Sequence, residues 1–132
     1  MVRMAALLLG SDASAEEVVQ ECFIRLGRRW DRIERPAPYL RAAVVNACRS
    51  HRRRVALEQR PQLQPTTATE FHADELGDAL AQLPYRQRAA LVLRFYEDLS
   101  EADIAAAIGC RPSTVRSLVH RGLAQLREVI EP

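Results

Sequence analysis

Apolar residues recur at spacings of three and four through most of this chain, and the pattern lapses over one long stretch, "VALEQRPQLQPTTATEFHA" at residues 55–73. That spacing lines one face of an α-helix, whereas a half-buried strand alternates every second residue. The lapse contains two prolines and a threonine cluster and reads as a flexible linker. A chain of 132 residues divided in this way is expected to build two small helical domains, 1–54 and 74–132, in place of one deep core. The expected fold class is all-α: a three-helix bundle, a linker, and a helix-turn-helix domain.

In the first block, "MVRMAALLLG" is far too short for a membrane span and has no small-residue cleavage pattern, so it reads as a core helix. Val18, Val19, Cys22, Phe23 and Leu26 then repeat at helical spacing. Ser14 with Glu17 three residues on predicts a capping box and a helix from Ala15 to about Trp30. The prolines of "ERPAP" break the chain. "YLRAAVVNACRSHRRR" resumes the helix, with Leu40, Val44 and Ala47 on one face and arginines at its end.

In the second block Leu76, Leu80 and Leu83 form one stripe, Pro84 opens the next helix, and Ser100 opens another. The runs "VVNAC" and "ALVLRF" lie inside longer helical patterns, which argues against strands. Ser100 as N-cap with Asp103 would hold the free amides of a short helix ending at Gly109, where a tight turn needs a left-handed backbone. Ala105 is small enough to let the following helix cross closely. Ile104, Ile108, Val115, Leu118 and Val119 are spaced to share a core, as in a helix-turn-helix. In such a unit the second helix enters the major groove by its N-terminal residues. Here that places Ser113, Thr114, Arg116, Ser117 and His120 toward base edges, with Arg116 suited to a bidentate guanine contact and the hydroxyls and Arg121 to phosphate. An ordinary helical hairpin with a solvated arginine face is the competing reading.

Net charge is only +2, so the distribution of charge carries the argument. All 19 basic residues are arginine, and ten of them fall between Arg25 and Arg54 against two acids, Asp31 and Glu34. Trp30 and Tyr39 lie among them. Rings that stack on bases beside a positive groove suit single-stranded nucleic acid, although Arg52, Arg53 and Arg54 also complement a helix C-terminus. The three cysteines are odd in number and widely spaced, which points to free thiols and a reducing compartment. Cys48 and His51 supply two ligands and no second pair, so no metal site is expected. There is no glycine-rich phosphate loop and no convincing catalytic cluster, so neither enzymatic activity nor a cofactor is expected.

The segments "SAEEVVQECFIRLGRRWDRI", "YLRAAVVNACRSHRRR" and "LAQLPYRQRAALVLRFYEDLSEADIAAAIGCRPSTVRSLVHRGLAQLRE" together resemble bacterial RNA polymerase sigma factors of the extracytoplasmic-function (ECF) group. The resemblance spans nearly the whole chain outside the linker. It implies a region 2-like domain and a region 4-like domain that recruit core RNA polymerase and read the minus-10 and minus-35 elements of promoter DNA. By position, Glu17, Gln20, Glu21 and Phe23 would bind polymerase, although Phe23 also fits a core position and Glu17 a capping one. Arg28, Trp30, Asn46, Arg49, Arg52 and Arg53 would meet the opened minus-10 strand. Arg111, Ser113, Thr114, Arg116, Ser117, His120 and Arg121 would meet minus-35 DNA. No residue would be catalytic.

The chain departs from the family pattern in three places. Its first helix is shorter, which is expected to leave Leu7 to Leu9 without full apolar cover; Leu118 stands where arginine is frequent; Arg111 stands where a serine cap is common. The short apolar opening without a signal pattern and the free cysteines are expected of a cytoplasmic protein without membrane association, and the resemblance adds an anti-sigma protein as a candidate partner. The alternative function is a DNA-binding regulator that uses only the helix-turn-helix, its N-terminal block binding another protein.

Overall fold

The computed structural model describes residues 1–58 and 75–130, which belong to two separate compact units. Every regular element among them is helical.

In the first unit α1 (Val2–Leu9) packs on α2 (Asp12–Gly27) and α3 (Pro36–Glu58). Met4, Ala5, Ala6 and Leu8 of α1 are buried. Leu8 is fully covered and Leu7 and Leu9 are half-buried, so α1 finds more apolar cover than its length suggested. It ends at Gly10, which at φ 75 takes the left-handed conformation and donates its N–H to the Ala6 carbonyl at 2.7 Å.

The start of α2 differs from the sequence reading. Ser11, not Ser14, is the N-cap, its Oγ accepting the Ser14 N–H at 3.2 Å. The earlier serine wins because Gly10 delivers it in the extended conformation a cap requires. Glu17 is thereby released from any capping role and is exposed. Val18, Val19, Cys22 and Leu26 are buried as their spacing predicts, but Phe23 is 48% exposed and Ile24 62% exposed. The helix stops at Gly27, and Trp30 belongs to a short 3-10 turn, Trp30–Arg32.

Pro36 and Pro38 open α3 rather than keeping it back to Tyr39. First-turn amides have no acceptor inside a helix, so proline loses nothing there and its φ is already set. Leu40, Val44, Val45 and Cys48 are buried. The helix runs past the arginines to Glu58; the rest of the expected linker, residues 59–73, lies outside the described residues.

The second unit contains α4 (Glu75–Ala81), α5 (Tyr85–Leu91), α6 (Glu101–Ile108) and α7 (Pro112–Ile130), with α7 packed on the other three. Leu80 and Leu83 are buried, whereas Leu76 is exposed. Arg88 is 2% exposed, and its Nη2 donates to the carbonyls of Ala81 at 2.7 Å and Leu83 at 3.3 Å, satisfying the C-terminal end of α4 from within α5. From Val92 the helix widens into a π turn, Val92–Tyr96, closed by a Glu97 N–H to Val92 carbonyl bond of 3.1 Å. Asp98, at φ 54, completes the reversal toward α6. Midway along α7, a Cβ added at Gly122 would lie 2.9 Å from Leu91 Cδ1. Gly122 therefore lets α7 pass close against Leu91 of α5, where a larger residue would force that side chain to move.

Candidate nucleic-acid interface

The turn between α6 and α7 forms as its sequence dictates. Ser100 Oγ accepts the Asp103 N–H at 3.1 Å, fixing the first turn of α6. Gly109, at φ 79, closes that helix, and the N–H groups of Gly109 and Cys110 both donate to the Ala105 carbonyl. The chain re-enters a helix at Pro112, and the Arg111 carbonyl accepts from Val115 N–H at 3.1 Å, which makes Arg111 the N-cap.

Burial then sorts α7 into two faces. Ile104, Val115, Leu118 and Gly122 are buried between the helices, with Ile108 and Val119 half-buried at the margin. Leu118 is thus a core residue. Arg111, Ser113, Arg116, Ser117, His120 and Arg121 are exposed, and Thr114 is half-buried. Arg116 Nε donates to Oε2 of Glu101, the first residue of α6, at 2.8 Å. The side chains are 71% and 42% exposed, so the pair contributes no more than about 1 kcal/mol to stability. A cleft of about 640 Å³ opens here, lined by Arg94, Ser100, Glu101, Arg116 and His120 over the apolar Val115.

In the first unit a cavity of about 620 Å³ lies between α2 and α3. Of the residues assigned to the minus-10 strand, Arg28 and Asn46 line it. Arg25, Arg29, Ser50 and Arg54 also line it, though the sequence assigns none of them to the strand and places Arg25 and Arg54 only within the basic run, with Tyr39 as one of its aromatics. Their signal was positional: Tyr39, Ala43, Ala47, Asn46, Ser50 and Arg54 repeat at spacings of three and four along α3. Arg49, Arg52 and Arg53 are not in the lining; Arg53 is exposed, while Arg49 and Arg52 are half-buried. Arg52 follows the buried Cys48 by one helical turn, which places it on the core-facing side of α3. Trp30, 53% exposed, presents a ring able to stack.

Cys22 also borders this cavity. Burial raises its thiol pKa, opposed by the Arg25 guanidinium and reinforced by Glu21. Burial, with the neighbouring Cys22 adding to it, pushes Cys48 up to about 12. Both stay protonated and unreactive near neutral pH. The four residues assigned to polymerase lie on α2, and all are exposed. Glu17, Gln20 and Ile24 follow one another at spacings of three and four with Phe23 beside them, an apolar patch in an acidic frame; Glu21 faces the cavity. Among the described residues there is no group of three or more potential metal ligands, and no helix is long and apolar enough to cross a membrane.

Two family profiles match the chain, sigma-70 region 2 over residues 1–58 and sigma-70 region 4 over residues 73–126. The chain is 37% identical to an RNA polymerase sigma-E factor of Streptomyces avermitilis, the match covering 99% of this chain and 79% of that protein. It is 36% identical to the sigma-E factor of Streptomyces coelicolor, covering 97% and 78%. It is 33% identical to the ECF RNA polymerase sigma factor SigL of Mycobacterium tuberculosis, covering 98% and 81%. Among solved structures, the sigma factor RpoE of Bartonella quintana, in complex with the anti-sigma factor NepR, superposes with a TM-score of 0.81 at 23% identity, covering 98% of this chain and 89% of that one.

Proposed function

The chain belongs to the sigma-70 family of RNA polymerase sigma factors, in its ECF group, and from that premise we propose how its residues divide the work. The second unit reads duplex minus-35 DNA through the exposed face of α7. The first unit holds the opened minus-10 strand at the arginine-lined cavity and docks on core polymerase through the exposed face of α2. No chemical step falls to the chain itself: the polymerase supplies catalysis, and the sigma factor acts by binding, in the cytoplasm where polymerase and chromosome meet. An anti-sigma protein is a further partner, by analogy with the Bartonella relative's complex.

The observation that carries this reading is the sorting of α7. In its N-terminal half Val115 and Leu118 are buried in the helix-turn-helix core, and the side turned out carries arginines, a histidine and hydroxyls. Phosphate contacts from Arg111 and Arg121 would set the register, and Arg116 would read a base edge. In the first unit, Arg25, Arg28, Arg29 and Arg54 supply positive potential, Tyr39 a ring and Asn46 an amide able to read a base, a combination suited to a single strand.

The regulator alternative differs in one measurable respect. A sigma factor should co-elute with sigma-free core polymerase in gel filtration and select promoter fragments from a duplex library only as that complex. Promoter-selective binding by the chain alone, without co-elution, would favour the regulator.

A further inference from the structure

We infer that Glu101 is a specificity-determining residue that acts by positioning Arg116, an inference resting on the reading of α7 as the duplex-reading helix. Arginine has many rotamers, and at 71% exposure the Arg116 side chain has little packing to select one. The constraint comes from Glu101. Its backbone is fixed as the first residue of α6, directly after the Ser100 cap, so its carboxylate projects from a rigid turn. Oε2 accepts from Nε at 2.8 Å, and Nε is the nitrogen nearest the aliphatic stem. Engaging Nε restricts the plane of the guanidinium and leaves the end-on fork of its two terminal nitrogens, which matches guanine O6 and N7, available to a base edge.

The carboxylate has a second effect. It adds a negative charge beside a surface that meets phosphates, which weakens binding to every duplex alike, while the base contact it positions is recovered only on the matching sequence. Glu101 thereby trades general affinity for discrimination. A residue kept for fold stability would not show that signature, because an exposed pair contributes little to folding.

The test uses the full chain assembled with core RNA polymerase and a duplex library randomised across the minus-35 element, read out as base preference at each position and as affinity for scrambled duplex. Arg116→Ala should erase the preference at one position. Glu101→Ala should reduce the preference at that same position by roughly three-fold or more while leaving scrambled-duplex affinity unchanged or tighter. Glu101→Gln, which keeps an acceptor oxygen without the charge, should fall between Glu101→Ala and the wild type. In the Arg116→Ala background Glu101→Ala should change no preference further. If Arg116→Ala erases a preference that Glu101→Ala leaves intact, the positioning role is overturned and the duplex-reading role stands. Equal weakening on every sequence by Glu101→Ala, with a lowered melting temperature, would mark a structural residue and also overturn it. If Arg116→Ala alters no position, the reading of α7 fails and the inference with it.

Discussion

Arg116 and Glu101 are joined across the helix-turn-helix by a 2.8 Å hydrogen bond between Nε and Oε2, so the most prominent candidate base reader leans on the first residue of the preceding helix. Because the pair is exposed, Arg116→Ala should leave the melting temperature nearly unchanged. Duplex minus-35 binding should lose roughly 1 to 3 kcal/mol, the worth of one bidentate base contact, measurable by fluorescence anisotropy of the holoenzyme on labelled duplex. Binding of a single-stranded minus-10 oligonucleotide should not change.

Docking on polymerase is expected to depend on the outer face of α2. Phe23 is 48% exposed, so Phe23→Ala costs little in stability, yet an exposed aromatic that becomes covered on binding is a typical hot spot. Competition for core polymerase should show a loss of about 1 to 2 kcal/mol for Phe23→Ala, with smaller losses for Gln20→Ala. Unchanged affinity in both variants would remove this face from the interface.

Strand capture should distinguish the arginines of α3. Arg54 lines the cavity, so Arg54→Ala should weaken binding of a single-stranded minus-10 oligonucleotide and lower its salt slope by about 0.7, the value for one lost phosphate contact. Arg52 is half-buried on the core side, so Arg52→Ala should act chiefly on thermal stability. The reverse ranking would relocate the strand to the other side of α3.

Much of this was legible in the sequence because it depends on local chemistry. Ser100, Gly109 and Pro112 define the turn through capping, left-handed backbone and a preset φ, none of which needs knowledge of distant residues. The α2 start was misplaced because two serines three apart offer equivalent local signals, and only the left-handed Gly10 decides between them. Phe23 and Leu76 share a helical spacing with buried neighbours yet are exposed, since periodicity identifies a stripe but not its width. The Glu101–Arg116 bond joins residues fifteen apart on two helices, so it depends on the crossing of α6 and α7 and left no mark in the local pattern.

Arg111 is an N-cap whose side chain cannot accept from free amides, and its charge opposes the positive end of α7. Arg111→Ser should therefore stabilise the chain by about 1 kcal/mol in thermal unfolding of the second unit. If the guanidinium meets a phosphate, the same variant should bind duplex more weakly across all sequences, with a salt slope smaller by about 0.9. A gain in stability with no loss of affinity would remove Arg111 from the DNA contact.

The most direct test of sigma function is transcription from duplex templates by core polymerase stripped of sigma. Adding the chain to a library of promoter fragments should yield transcripts with defined start sites from a small subset, whose upstream sequences share two separated elements. Arg116→Ala should reduce output on templates that carry the minus-35 element and have little effect on templates from which that element has been removed. Failure of the chain to confer specific initiation on core polymerase, while it still binds duplex DNA alone, would contradict the sigma-factor assignment of roles and leave a simple DNA-binding regulator.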